Sequence, residues 1–296
     1  MQSMRDIKQR INATQKTSQI TKAMHMVSAS KLKKAEKSIV SFRPLTKRLT
    51  ASLARVLDSA QDVSHPMLDE RPTNHTVYII ISSDRGLAGP YNANVFKRFE
   101  AYIEKHHTSH DEFSIAPLGY KALMFARRRN YKTLTDKVIQ VRDDVQFIDF
   151  QSISDRFIKG FLSGEFDKVI VFHNKFINTL TQNVVHKTLL PIERQAVLDA
   201  HKEETKKNQY ERIYHFEPNV SDVLHQLLPM VVVNRLYGMI LESKASEHAA
   251  RMTAMKSATD NANELIGDLQ LQYNRARQDA ITTELTDIIG GANAVN

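Results

Sequence analysis

Small and apolar residues recur at alternating spacings of three and four from the start of the chain: Met4, Ile7, Ile11, Thr14, Ser18, Thr21, His25, Ser28, Leu32, Ala35, Ile39 and Phe42. This heptad seam, widened by Ile20, Met24 and Val27, predicts one long helix. Fifty-odd residues at helical rise span about 80 Å, longer than a helix inside a compact domain needs. Pro44 is expected to kink the helix without ending it. The other end of the chain repeats the pattern at Ala245, His248, Met252, Met255, Thr259, Ala262, Ile266, Leu269, Tyr273, Ala276 and Ala280. That second helix is expected to start after Pro218, with Ser221 or Asp222 in its first turn. It is expected to stop at Gly290-Gly291, roughly 100 Å on. Both seams are rich in Ala, Ser, Thr and Met. Such residues let backbones approach closely but bury little apolar area, so the pair alone is marginal. Two such ends joined by a domain predict an antiparallel coiled-coil shaft.

Between them, over about residues 74–190, strand-like and helix-like runs alternate. Thr76–Ser82, Phe113–Pro117 and Lys168–Phe172 read as strands. Asn92–His107, Lys121–Arg129 and Ile153–Leu162 read as helices, and Asp199–Arg212 as a charged loop or short helix. The fold class is therefore α/β: a long antiparallel two-helix coiled coil from the terminal helices plus a central Rossmann-like domain with a mainly parallel sheet. The expected division is 1–60 for the first helix, 61–215 for the α/β domain and 216–296 for the helix that pairs with the first.

Proline and glycine support this division, since none occurs before Pro44 and no proline follows Pro229. The chain has 296 residues, 42% hydrophobic, enough for a real core. It has no cysteine, which excludes disulfides, thiolate metal sites and thiol catalysis. The longest apolar runs, Val77–Ile81 and Met230–Val233, are far shorter than the roughly 18 residues of a membrane span. No apolar signal core follows the N-terminus, so a soluble intracellular chain is expected.

The net charge of +8 is unevenly placed. Residues 1–58 hold 13 Lys+Arg and 3 Asp+Glu, a net of +10, and the remainder nets −2. So basic a segment is expected to face something acidic. Lys31, Lys33, Lys34, Lys37, Arg43, Lys47 and Arg48 could neutralise phosphates. Aromatic residues for base stacking are almost missing there, Phe42 standing alone, which favours a solvated or partner-facing surface over nucleic acid.

Chemistry is hard to find elsewhere. The turn Ser83-Asp84-Arg85-Gly86-Leu87-Ala88-Gly89-Pro90 lies between a strand and a helix, where phosphate loops occur. It lacks both the dinucleotide glycine pattern and a Gly-Lys-Ser/Thr, so it reads as a structural turn. His106 and His110 have a metal-compatible spacing beside His107, Asp111 and Glu112, but sit where a helix runs into a loop, and a solvated terminus is the better reading. Asp143-Asp144 looks surface-like, with nothing to tune one carboxylate against the other. No catalytic, metal or cofactor site is readable. The uncharged end, Ile288 to Asn296, reads as a frayed terminus or as a tip that invites a sheath.

Ile20-Thr21-Lys22-Ala23-Met24-His25-Met26-Val27-Ser28-Ala29-Ser30-Lys31 resembles the N-terminal helix of the gamma subunits of F-type ATP synthases. Ala249–Met252, Met255–Ala262, Tyr273–Gln278 and Ile281–Ile288 resemble that family's C-terminal signature, and Asp84–Leu87 and Asn174–Asn178 its central domain. The resemblance runs through the whole chain in order, with a slight departure at Gly89-Pro90.

The resemblance implies a non-catalytic rotor. Its coiled coil would stand inside three alpha and three beta subunits, and its α/β domain would lie against the epsilon subunit and the membrane ring of c subunits. Proton or sodium flow would turn it. Arg277, Gln278, Thr282 and Glu284 would engage beta-subunit loops. Met24 and Arg251 would face the acidic beta lever loop, and Tyr214, Phe216 and Glu217 would rest on the c-ring. No cofactor, metal or nucleic acid is implied. The chain would work at the cytoplasmic face of a cell membrane, attached only through the complex. Absence of the cysteine-bearing chloroplast insertion and of a transit peptide points to a bacterial enzyme. The rivals are a basic coiled-coil protein, expected to bind nucleic acid in a salt-sensitive way, and a nucleotide-dependent enzyme, expected to be stabilised by nucleotide.

Overall fold

The structure, a computed structural model, describes residues 3–59, 64–135, 137–144, 146–205, 216–217 and 219–295, with backbone only at 200–205 and 290–295. It divides into two compact units, one of residues 1–29 with 251–296 and one of residues 30–250.

The smaller unit is a helix pair. It combines the first part of α1 (Met4–Ser59) with the last part of α6 (Val220–Val295). The predicted seam is covered except at its first position, Met4, which is 36% exposed. Ile7, Thr21, Ser28, Met255, Ala262 and Leu269 are buried, and Ile11, Thr14, Ser18, His25, Met252, Thr259, Ile266 and Tyr273 are half-buried. The Ser18 hydroxyl bonds Asn263 Oδ1 at 2.7 Å and the Thr21 and Thr259 hydroxyls meet at 2.7 Å, so the helices run antiparallel. The expected widening fails at two of three positions: Ile20 and Val27 are 61% and 55% exposed, while Met24 is half-buried. A two-helix pair offers only one narrow stripe of cover, so flanking positions stay in water. The expected stop at Gly290-Gly291 is also wrong, since α6 continues to Val295. Neither glycine has the left-handed backbone of a helix C-cap. Without that geometry glycine costs about 1 kcal/mol of helix propensity but does not terminate.

In the larger unit a four-stranded sheet has the order β2-β1-β3-β4. It is built from β1 (Thr76–Ile81), β2 (Phe113–Leu118), β3 (Lys168–Phe176) and β4 (Gln182–Leu190). The first three strands are parallel and β4 is antiparallel to β3, so the mainly parallel expectation holds, with an edge strand added. Covered on both faces, β1 is buried at every position. On one face Tyr78 and Ile80 pack with α2 (Tyr91–His106) and α3 (Tyr120–Arg128) through Val95, Phe99, Ala122 and Phe125. On the other, Val77, Ile79 and Ile81 pack with Phe157 and Phe161 of α4 (Phe147–Leu162). They also meet Leu53 and Leu57 of α1 and Leu224, Leu228 and Val232 of α6.

Both long helices contain a proline, Pro44 and Pro229, and neither ends there. Asn219 caps α6, its side-chain oxygen accepting from Asp222 N at 2.9 Å, which leaves Asp222 in the first turn as expected. The charged stretch after Asp199 belongs in part to a helix, α5 (Arg194–Thr205), and its remainder lies outside the described residues. No uninterrupted apolar run reaches membrane length, but an 18-residue window within Val220–Ile289 attains a mean hydropathy of 1.2, with half of it buried inside the protein.

Candidate functional site: the exposed faces of the helix pair

The two cross-helix bonds set the register: residue 18 lies opposite 263 and residue 21 opposite 259. Carried to its start at Met4, α1 ends level with the turn around Ala276. From Arg277 to Val295, α6 runs on with no partner helix among the described residues. Arg277, Gln278, Thr282 and Glu284 all fall in this overhang and are exposed. So are Ile281, Leu285, Ile288 and Ile289, spaced as one helical stripe and each about half to two-thirds exposed. The hydroxyls of Thr282, Thr283 and Thr286 turn back onto the carbonyl oxygens of Gln278, Asp279 and Thr282, at 2.8–2.9 Å. The overhang thus presents apolar surface and a few charges, with hydroxyl donors already spent.

Met24 and Arg251, also in the smaller unit, are both half-buried. In the larger unit, Phe216 packs against the core while Glu217 is exposed, and Tyr214 lies outside the described residues.

The Ser83–Pro90 turn sits at the carboxyl end of β1, where the strand order reverses and where open α/β sheets bind ligands. Here the crevice is filled from within. Asp84 accepts from Tyr120 N at 2.9 Å and from Val141 N at 3.2 Å, and Asn92 Oδ1 accepts from Ser83 N at 3.0 Å. Leu87 and Gly89 take left-handed backbone to close the turn. The Ser83 amide at the mouth of the turn is already engaged by a side chain of this chain.

The histidine cluster is likewise structural. His107 shares hydrogen bonds with the Tyr78 hydroxyl at 2.6 Å and with Glu112 at 2.9 Å. His106 stacks on Tyr102, and His110 lies edge-on to Tyr131. Bonds from Thr108 and then His107 hold the Glu112 carboxyl down at about 2. Burial, then the nearby Tyr102, pushes the Tyr78 phenol well above its ordinary range. A phenol held protonated is not a nucleophile. No group of three or more metal-ligating side chains occurs among the described residues.

Asp143 is exposed, as expected, but it is not without groups that tune it. It accepts from Lys31 at 2.6 Å, Lys244 at 3.0 Å and His248 at 3.1 Å. The hydrogen bond from His248, followed by those of the two lysines, outweighs burial and holds its carboxyl far below the usual range. Lys244 also bonds Glu247 at 2.9 Å and the Val141 carbonyl at 3.0 Å. Burial would pull its ammonium down, but Glu247 and Asp143 more than compensate, so it is raised. The Asp144 carboxylate pairs with Arg142. The network ties the loop after Val141 to α1 and α6, and it engages Lys31, one of the cations counted as partner-facing. The sequence signal for it was slight: Lys244 and Glu247 sit immediately before the seam positions Ala245 and His248.

A family model described as ATP synthase matches residues 3–295. The ATP synthase gamma chain of Macrococcus caseolyticus (strain JCSC5402) is 45% identical over 296 residues, covering 100% of both chains. Among solved structures, a chain of the Euglena gracilis mitochondrial ATP synthase, OSCP/F1/c-ring in rotational state 3, is similar with a TM-score of 0.64 and 18% identity. It covers 99% of this chain and 94% of that one. A chain of the Tetrahymena thermophila mitochondrial ATP synthase central stalk and c-ring is similar with a TM-score of 0.59 and 23% identity, over 81% and 99% of the two chains. At these identities the structural likeness speaks to the fold.

Proposed function

The chain belongs to the ATP synthase gamma-chain family, and on that premise we propose how its surfaces serve the central stalk. It is a non-catalytic subunit of ATP synthase, the rotor that couples ion flow at the membrane to ATP synthesis and hydrolysis. As such it is part of a membrane-associated complex.

In the proposed assembly one copy stands within three alpha and three beta subunits at the cytoplasmic face of the membrane, with epsilon and the c-ring at the larger unit. The overhang of α6 carries this reading. Ile281, Leu285, Ile288 and Ile289 are half to two-thirds exposed on the isolated chain, and an apolar sleeve would recover about 1–2 kcal/mol for each that it covers. Apolar contact is non-directional, so a sleeve can hold such a tip while it turns. Hydrogen bonds would break at every step, and the inward-turned hydroxyls of Thr282, Thr283 and Thr286 minimise them.

Torque needs the opposite property: contacts that differ with angle. A ligand shifts an equilibrium only by its differential affinity for the states, and the same holds for a rotor face. Arg277, Gln278 and Glu284 supply such polar contacts to beta-subunit loops, with Thr282 beside them. Met24 and Arg251 serve the acidic lever loop lower on the coil, and Tyr214, Phe216 and Glu217 serve the c-ring. In the assembled enzyme, Arg277→Ala with Gln278→Ala is expected to lower coupled ATP turnover severalfold while leaving the circular dichroism spectrum intact. Unchanged turnover refutes that assignment. Nothing observed favours the nucleic-acid reading.

A further inference from the structure

Within the larger unit, α1, α6, β4 and the start of α5 enclose an open cleft of about 760 Å³, an ordinary size for a small-ligand site. Its floor is apolar, formed by Ile39, Phe42 and Met239. Phe42 is fixed edge-on against Tyr237 at 5.0 Å. Arg43 and Lys47 from α1, Arg235 from α6 and Lys187 from β4 stand around it, against Glu193 and Glu242. Glu242 is committed to His173 at 3.3 Å. Among the described residues, neither Arg43 nor Arg235 has a carboxylate at ion-pair distance. Burial holds the Arg235 guanidinium below its usual range, against only a longer-range pull from Glu193.

The second observation is independent. Asn234, 2% exposed, lines the same cleft, and its amide Nδ2 has no acceptor. Buried amide donors are nearly always paired, so an orphan on a cleft wall asks for an acceptor. Two guanidinium groups and an amide, all donors, line one cleft together with apolar side chains that suit an organic body.

We propose that this cleft binds a small organic phosphate. The phosphate oxygens accept from Arg43, Arg235 and Asn234, the arginine fork matching phosphate geometry, and the organic part lies on Phe42 and Met239. The site accounts for part of the charge excess on α1. It is also independent of the stalk role, which would survive its failure.

Isothermal titration of the full chain with phenyl phosphate, inorganic phosphate and phenol tests it. Phenyl phosphate is expected to bind saturably at one site, inorganic phosphate at least about tenfold more weakly, and phenol not at all. Arg43→Gln, at an exposed helix position that leaves the fold intact, is expected to weaken phenyl phosphate about tenfold, as is Arg235→Gln where circular dichroism shows it folded. Absence of phenyl phosphate binding, or binding that Arg43→Gln leaves unchanged, overturns the site. Equal affinity for inorganic phosphate overturns the organic-phosphate assignment.

Discussion

Thr21 and Thr259 meet hydroxyl to hydroxyl, 2.7 Å apart, across the antiparallel helix pair. One hydroxyl donates across the pair, and the other keeps its proton for its own helix, Thr21 for the Ser18 carbonyl at 3.1 Å or Thr259 for that of Met255 at 2.8 Å. The seam is therefore held by small side chains and close backbones rather than by large apolar area.

Replacing both hydroxyls at once, Thr21→Val with Thr259→Val, removes donor and acceptor together and keeps the shape. The pair is expected to be unchanged, or up to about 1 kcal/mol more stable in thermal unfolding. Thr21→Leu overfills the same place and is expected to cost about 1–3 kcal/mol. Easy tolerance of leucine would contradict a tightly approached seam.

Asp143 gathers two ammonium groups and an imidazole, so Asp143→Ala removes the partner of the nearly buried His248 and leaves Lys244 with Glu247 and the Val141 carbonyl. With Asp143 itself 40% exposed, solvent screening lowers the cost to about 1–3 kcal/mol in chemical denaturation. Lys31→Ala touches only an exposed pair and is expected to cost under about 1 kcal/mol. Equal losses from the two substitutions would show that Asp143 acts only through Lys31.

Gly119 has φ +95°, and a Cβ there would collide with the Ser82 carbonyl oxygen. Gly119→Ala is expected to cost about 3 kcal/mol or more, combining backbone strain with displacement of the β1 end. Thermal unfolding of the variant decides it; a near-native midpoint would place the strain elsewhere.

His65, His173 and His186 are all held below the ordinary imidazole range, in each case chiefly by burial. Unfolded imidazoles take up protons near pH 6.5 while these resist, so their contribution to stability is complete above 6.5 and falls as pH drops below it. The unfolding midpoint is expected to decline from pH 7.5 to pH 5.5 at constant ionic strength. A flat or rising midpoint would mean that these rings are solvated.

The helix pair was legible because a three-four period survives even in a seam of Thr, Ser and Ala, and side chains from Ile7 to Leu269 are covered where the period places them. Strand β4 was not legible. As an antiparallel edge strand, its run Gln182-Asn183-Val184-Val185-His186-Lys187 is only half-covered and shows no clean alternation. The first turns of α4 escaped for a related reason: Phe147 and Ile148 are exposed, which blurs the helical stripe. Asp143 was misread because its partners lie about a hundred residues away in sequence on either side, and only the fold brings them together. For the stalk surfaces, the sequence motifs marked Arg277 and Gln278, while the register of Ser18 with Asn263 is what puts them past the end of the partner helix.

Native mass spectrometry of the complex recovered through this chain, tagged and extracted from its own membranes, tests the rotor assignment most directly. One copy of the chain with three alpha and three beta subunits is the expected mass. Recovery as a lone chain, or bound to nucleic acid, would contradict it.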